Sequence, residues 1–273
     1  MESIKSLKDK IAKSSVSHYA PLHDVIVRKI SVYFTWLLLL TPITANGTTV
    51  LQGIVGVIGA FLLIYPDYLL CVIGILLLQL GYILDCCDGE IARYYKTSSV
   101  NGVFLDLIGH EIVIPMMYFC ISVGEFQRTG VIWFLLLGFS TAFWSLRFDI
   151  AAMFQTINVL FAKSDNPSYS YEKLKTESTS RATQQATQKP SFVRTLFRYP
   201  ESMNVLTLLL FLDWFIPNFL PLNLSLVSIF LIVFGTLVPF ARLYSIYKIF
   251  SGNEVEKRYT EIIETARKIL NKK

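Results

Sequence analysis

Four polar side chains interrupt one of the most apolar regions of the sequence. Asp85 and Asp88 come first, and Asp106 and His110 follow in the next apolar segment. Carboxylates are hard oxygen ligands for divalent cations, and an imidazole can bind a metal ion or accept a proton near neutral pH. These residue types are therefore suited to metal-assisted chemistry on a charged substrate.

Helical spacing gathers the first two aspartates on one face. At 100° per residue, Asp85, Asp88 and Ala92 lie within about 60° of one another. Gly89 lies beside them and has no side chain, so this face combines carboxylates with free space.

The second segment presents a matching face. Gly102, Asp106 and His110 are spaced by four residues, which places them in one stripe of a helix. The eight residues between Arg93 and Gly102 form a tight return that sets the two stripes opposite each other. We expect three carboxylates and an imidazole to converge just below one membrane surface.

A bound cation explains this cluster better than solvation does. A single aspartate near a helix end could be solvated or paired with Arg93. Three carboxylates on adjacent helix faces, in a region of low dielectric constant, would repel one another by several kcal/mol without a cation. Hard oxygen donors favour Mg²⁺ or Mn²⁺, which typically share their coordination with substrate phosphates.

The elements that position these residues are transmembrane helices. The chain has 273 residues, of which 53% are hydrophobic, more than is usual for a soluble domain. Six apolar segments are long enough to cross the bilayer as helices. They cover residues 47–66, 69–94, 103–123, 131–153, 202–219 and 222–249. The predicted fold class is an all-α integral membrane protein, a bundle of six transmembrane helices.

A seventh apolar segment at 32–44 has thirteen residues and contains Pro42. It is short for a span, and we interpret it as an N-terminal amphipathic helix in the membrane interface.

The basic residues predict the orientation. Between 163 and 198 there are seven basic and three acidic residues, and the segment 251–273 is also basic. The predicted outer loops near 66, 124–130 and 213–221 hold one basic residue between them. Both termini and the active site are therefore predicted to face the cytoplasm. The net charge of +5 is explained by topology and anionic lipid, and nucleic acid is not expected as a partner.

The predicted organisation has three parts. Residues 1–45 form the cytoplasmic N-terminus with the interfacial helix, and 46–250 form the membrane domain. The polar segment at about 163–198 is predicted to be a flexible cytoplasmic loop. Residues 251–273 carry a single apolar stripe and predict an amphipathic tail helix.

The gapped pattern of the polar cluster resembles a family signature. The sequence reads Asp85-x2-Asp88-Gly-x2-Ala-Arg-x8-Gly-x3-Asp106-x3-His110, and it is similar to that of the CDP-alcohol phosphotransferases, also called CDP-alcohol phosphatidyltransferases. Seven of the eight defined positions agree, and so does all the spacing. TPITANGTTV at 41–50 also resembles the family's Pro-Asn-x-x-Thr entry to the first span, with Ala45 in place of proline.

The resemblance implies a reaction. A substituted phosphate would pass from a CDP-linked donor to an alcohol acceptor, CMP would leave, and the chain would work among membrane lipids as a homodimer. Asp85, Asp88, Asp106 and His110 stand at the family's metal positions. The implied nucleotide-binding residues are Asn46, Thr49, Asp85, Gly89, Ala92, Arg93 and Gly102.

His110 departs from the pattern, since the family has an aspartate there that is thought to be the general base. A neutral imidazole with an ordinary pKa of about 6.5 can still accept an alcohol proton. It is a weaker ligand for Mg²⁺, which favours one tight ion, a shift towards Mn²⁺, or a second ion bound only with substrate. The alternatives are another base or altered chemistry.

Three arginines near the predicted inner surface could bind a phosphate on the acceptor: Arg147, Arg198 and Arg242. Positive-inside anchoring or pairing with an aspartate would explain them equally well.

Two other classes of function compete with the enzyme. Intramembrane carboxylates also mark ion pathways, so a transporter is one alternative. A catalytically silent homologue that binds lipid or nucleotide is the other. The sequence does not identify the alcohol, or which substrate carries the lipid.

Overall fold

The chain folds into helices. The computed structural model describes residues 7, 10, 11, 22–148, 197, 199–216, 224–253 and 255. Within these residues there are seven defined helices and no strands, which confirms the all-α prediction. The helices are α1 (Leu22–Leu38), α2 (Ala45–Leu62), α3 (Tyr68–Tyr95), α4 (Val100–Thr129), α5 (Trp133–Ser145), α6 (Glu201–Phe215) and α7 (Leu226–Ser251).

Four helices, α2, α3, α4 and α7, are long and apolar enough to cross a membrane. The chain is therefore a multi-pass membrane protein. Helix α5 is apolar but has 13 residues, and α6 has 15. The predicted segments 131–153 and 202–219 both extend into residues that the structure does not describe. The count of six spans thus stays a prediction.

Helix α1 does not have the predicted bounds. It begins at Leu22 and ends at Leu38, so Pro42 lies outside it. Proline has no N–H to donate along a helix, and the chain turns at residues 39–42 instead. Thr44 then caps α2, because its hydroxyl oxygen accepts a hydrogen bond from the backbone N–H of Gly47 at 3.1 Å. A place for α1 in the membrane interface stays a prediction.

A buried carboxylate fastens α1 to α3. Glu90 is 4% exposed, and its two oxygens accept hydrogen bonds from the hydroxyls of Ser31 and Thr35, each at 2.6 Å. Hydrogen bonds to a charged acceptor are among the stronger ones in proteins. This contact holds α1 against the same turn of α3 that carries Asp88.

Glycines let α2 and α3 touch backbone to backbone. A Cβ atom on Gly59 would lie 2.7 Å from the carbonyl oxygen of Gly74, and a Cβ on Gly74 would lie 2.6 Å from that of Gly59. Neither position can take a larger residue without moving the helices apart. This close approach fixes the register of the two helices, and therefore which side chains meet nearer the site.

The return between α3 and α4 is as tight as the spacing predicts. Lys96 ends α3 in a left-handed conformation with φ 56°, and Ser99 caps α4 by accepting a hydrogen bond from the N–H of Gly102 at 3.0 Å. These two caps end α3 and begin α4, and both helices pack against α2.

A second polar cluster lies at the other end of α4. Glu125 is fully buried and pairs with Arg128 at 2.6 Å, and it also accepts hydrogen bonds from the hydroxyls of Ser225 and Ser228. Asp213 accepts the backbone N–H groups that begin α7. The sequence interpretation placed Glu125, Arg128 and Asp213 in outer loops. They do not lie in loops, because α4 and α6 continue through them, and each also contacts a residue of another helix.

Two compact units are distinguished. The first comprises Met1–Leu146 with Ser191–Pro239, and the second comprises Arg147–Pro190 with Phe240–Lys273. The predicted loop at 163–198 and the predicted tail helix at 251–273 fall almost entirely outside the described residues.

Candidate active site

Three of the four polar residues converge between α3 and α4. The Nε2 atom of His110 lies 3.2 Å from Oδ1 of Asp85 and 3.4 Å from Oδ1 of Asp106. One ligand atom from each residue lies within 4.8 Å of the other two. The side chains of Asp85 and His110 are 19% and 18% exposed, and that of Asp106 is 40% exposed. Asp85 and His110 are therefore largely sheltered, and Asp106 is the most exposed of the three.

The spacing of these donors fits a divalent ion. Two ligands at right angles around Mg²⁺ lie about 3 Å apart, because each bond is about 2.1 Å long. The observed separations of 3.2 and 3.4 Å are close to that value. Asp85, Asp106 and His110 could thus hold one metal ion with little movement.

Helix α2 supports the carboxylates of α3 from behind. The Thr49 hydroxyl donates to Oδ2 of Asp88 at 2.6 Å, and the Gln52 amide donates to Oδ1 of Asp85 at 3.1 Å. Each of these α3 aspartates therefore receives one side-chain donor from α2. Asp88 faces Thr49 and does not belong to the group of three metal-ligand candidates.

Asn46 lies at the mouth of the site beside Gly102. A Cβ atom on Gly102 would come within 3.1 Å of the Asn46 side-chain oxygen. The missing side chain leaves room for Asn46 at the first turn of α4. Sequence reasoning had assigned both residues to nucleotide binding, and the structure brings them together.

Arg93 turns towards the N-terminal segment. Its Nε donates to the backbone oxygen of Ile11 at 3.0 Å, and its Nη1 would lie 3.2 Å from a Cβ on Gly89. Ala92 is on the same turn, and its carbonyl oxygen accepts the N–H of Thr97 at 2.9 Å. A role for Arg93, Gly89 and Ala92 in nucleotide binding stays a prediction.

An aromatic residue outside the helices completes the site. The ring of Tyr199 packs edge-on against His110, with centroids 5.7 Å apart, and against Tyr82, at 5.8 Å. Burial raises the pKa of the Tyr199 phenol, and Asp85 raises it further. Tyr199 therefore stays protonated at neutral pH and restricts the orientation of the imidazole.

The described residues do not test the three candidate phosphate-binding arginines. Arg147 and Arg242 belong to the second unit, while Asp85, Asp106 and His110 belong to the first. Arg198 lies outside the described residues. Their role stays a prediction.

A comparison with family models decides what kind of protein this is. The model for CDP-alcohol phosphatidyltransferases matches residues 42–182, just over half of the chain. The chain belongs to the CDP-alcohol phosphatidyltransferase family. A search of the curated proteins found no match.

The CDP-alcohol phosphatidyltransferases are transferases that move phosphate-containing groups from CDP-alcohols to acceptors, and the chain belongs to this group. The matched residues include α2, α3, α4 and α5, and hence the whole Asp85, Asp106 and His110 cluster. The metal-ligand candidates stand at three positions of the signature, although His110 departs from it and Asp88 is not in the group.

Sequence reasoning missed two residues at the CDP-alcohol phosphatidyltransferase site and a buried carboxylate on the opposite face of α3. Gln52 lies three residues after Thr49, so helical spacing could have found it as part of the same stripe. Glu90 faces α1, on the other side of α3 from the site. Tyr199 is distant in sequence, and no local pattern indicates its contact with His110.

Proposed function

We propose that this protein transfers a substituted phosphate group from a CDP-linked donor to an alcohol acceptor, forms a phosphodiester and releases CMP, in the biosynthesis of phospholipids or related polar lipids. The observation that carries the proposal is the convergence of Asp85, Asp106 and His110 from two helices to within 4.8 Å. The family match supports the reaction class.

Asp85 and Asp106 would hold a divalent ion, with Asp88 as a further carboxylate one turn away. Mg²⁺ or Mn²⁺ suits these oxygen donors. When bound there, the ion neutralises charge that develops on the departing CMP. The α2 donors Thr49 and Gln52 keep the α3 carboxylates oriented towards α4.

His110 is the proposed general base. As the acceptor oxygen bonds to the donor phosphorus, its proton passes to Nε2 of His110, and the bond from phosphorus to the oxygen of CMP breaks. Two carboxylates within 3.4 Å stabilise the imidazolium that forms. A single nitrogen cannot coordinate a metal ion and accept a proton at the same time. We therefore assign metal binding chiefly to the aspartates in the reacting complex.

The membrane setting supports a lipid among the substrates. The site lies in the C-terminal half of α3 and the N-terminal half of α4, which are both long apolar helices. A lipid tail can stay in the bilayer while its polar head reacts there. From the apolar segments and the distribution of basic residues we further propose six spans, cytoplasmic termini and a cytoplasmic active site. We also propose a homodimer, as the family resemblance implies.

A silent homologue is the second candidate function. It is favoured by one observation, since His110 replaces a metal-binding carboxylate and already contacts both aspartates. A transporter is less well supported, because the polar groups deeper in the bundle bond to each other. Gln79, for example, donates to Asn204 and Thr207 at 2.9 Å.

Isotope-traced CMP release by the purified protein tests the proposal. Two kinds of CDP-linked donor are supplied, one carrying a lipid alcohol and the other a small polar alcohol. Each donor is combined with polyol, phosphopolyol and lipid acceptors in the presence of Mg²⁺ or Mn²⁺. We expect one pairing to release CMP in equal amount to a new phosphodiester. Binding of nucleotide or lipid without CMP release from any pairing would favour the silent homologue.

A further inference from the structure

Gln52 contacts one of the metal-ligand candidates and has a buried oxygen that receives no hydrogen bond within the described part of the chain. The residue is 6% exposed. The amide nitrogen donates to Oδ1 of Asp85 at 3.1 Å, and the amide oxygen Oε1 is buried without a donor. Buried polar atoms in folded proteins almost always have a partner.

The orientation of this amide follows from its neighbour. If the amide were turned over, its oxygen would face the Asp85 carboxylate, and two acceptors would repel each other. Because Nε2 of Gln52 donates to Asp85, the second polar atom of the same amide group must be the oxygen Oε1. Oε1 is thus held close to the site by the hydrogen bond that Nε2 makes.

The neighbouring buried side chains on α2, those of Thr48 and Thr49, already have hydrogen-bond partners within the described residues. The hydroxyls of Thr48 and Thr49 reach the backbone oxygens of Thr44 and Ala45 at 3.1 Å, and Thr49 also reaches Asp88. They need no further partner. Gln52 lies one turn further along this helix, and its Oε1 atom accepts no hydrogen bond from the described residues.

We propose that Gln52 is a positioning residue of a hydrated divalent-metal site, a proposal that rests on the metal-dependent function above. Its N–H group holds Asp85, and its Oε1 accepts a hydrogen bond from a water molecule bound to the ion. Mg²⁺ and Mn²⁺ keep several of their waters in protein sites, and such waters are strong donors that need acceptors. Partners of this kind orient the ligands and contribute substantially to metal affinity.

The replacement of a family aspartate by His110 gives this oxygen added importance. An imidazole offers one nitrogen, whereas a carboxylate offers two oxygens that can accept hydrogen bonds from metal-bound water. The neutral oxygen of Gln52 supplies one acceptor on the α2 side without adding charge to the cluster.

The test is Mn²⁺ binding to the purified full-length protein without substrate, followed by electron paramagnetic resonance of free Mn²⁺. Gln52→Met keeps the shape but removes both polar atoms, and Gln52→Glu keeps an oxygen while losing the donor. We expect Gln52→Met to raise the Kd for Mn²⁺ about 10- to 100-fold. Gln52→Glu should bind as tightly as the parent or more tightly, because it restores an oxygen and adds negative charge.

Gln79→Met is the matched control, since Gln79 is another glutamine in the helix bundle that bonds to Asn204 and Thr207. Its Kd should stay within twofold of the parent. A Gln52→Met Kd within twofold of the parent overturns the proposal, and so does a parent that binds no Mn²⁺. A Gln52→Glu variant that loses affinity as Gln52→Met does would also overturn it, because only the donor to Asp85 would then matter and the oxygen would not. If Gln52→Met does not fold, Gln52→Glu decides: unchanged or tighter binding supports the proposal, and a tenfold loss overturns it.

These outcomes are separate from those for the proposed reaction. Mn²⁺ binding needs no CDP-linked donor, so a parent that binds the ion but releases no CMP would refute the reaction and leave the role of Gln52 standing. A parent that releases CMP, together with a Gln52→Met variant that binds Mn²⁺ normally, would refute the role of Gln52 and leave the reaction standing.

Discussion

The Nε2 atom of His110, on α4, lies 3.2 Å from Oδ1 of Asp85, on α3. This contact joins the two halves of the family signature in space. It also places His110, which departs from the signature, beside Asp85, which is the first residue of the signature. The consequences of the histidine can therefore be tested at one position.

His110→Ala should lower the rate of CMP release strongly, by about 10²- to 10⁴-fold, because the general base is lost. His110→Asp should retain activity and shift the metal preference towards Mg²⁺, since a carboxylate is a harder ligand. Initial rates with Mg²⁺ and with Mn²⁺ across pH measure both effects. If His110→Ala matched the parent rate at every pH, the base assignment would be wrong.

Gly102→Ala should weaken binding of the CDP-linked donor. The new methyl group would lie 3.1 Å from the Asn46 side-chain oxygen and displace it. We expect KM for the donor to rise several-fold with a smaller change in kcat, which steady-state kinetics would show. Gly109→Ala is a matched control, because no atom lies within 4 Å of a Cβ at that position. An unchanged KM for Gly102→Ala would remove Asn46 from the donor site.

Glu90→Leu should destabilise the protein without removing the chemistry. The change leaves the buried hydroxyls of Ser31 and Thr35 without their acceptor. The expected loss is about 1–3 kcal/mol in the free energy of unfolding. Denaturation in mixed micelles measures the stability, and CMP release per folded molecule should stay within about threefold of the parent, since Glu90 faces α1. A complete loss of turnover in folded protein would instead place Glu90 in the reaction.

Glu125→Ala should be among the more destabilising substitutions. It leaves Arg128, which pairs with Glu125 at 2.6 Å and packs on Tyr68 at 4.6 Å, without its buried counter-charge. Breaking such a pair costs about 3–5 kcal/mol. The double variant Glu125→Ala with Arg128→Met should lose less than Glu125→Ala alone, because no buried charge remains. Thr236→Val, at an exposed hydroxyl bonded to backbone, should leave the denaturation midpoint unchanged. A double variant that loses the sum of the single losses would exclude coupling.

Local patterns predicted the core of the site well. Asp85, Asp106 and His110 came together because helical spacing and a short return are properties of the nearby chain. The same holds for the all-α fold, since long apolar segments can satisfy their backbone groups in a membrane as helices.

Contacts between distant segments could not be predicted in this way. Glu125 meets Ser225 a hundred residues later, and Tyr199 meets His110 from outside the helices. Both depend on how the helices pack. The error on Glu125 and Arg128 has a further cause, because charged residues near a span end usually indicate a loop, and here they neutralise each other inside the bundle.

The measurement that most directly tests the account is CMP release by the parent and by Asp106→Asn, with the same donor and acceptor and with the divalent ion present or chelated. The variant keeps the size of the side chain and removes one metal-binding charge. The account predicts that the parent releases CMP only with the ion present. It also predicts that Asp106→Asn is slower by about a hundredfold or more, as when a charge-stabilising group is removed from an active site. Equal rates for the two proteins, or full activity in the presence of chelator, would contradict it.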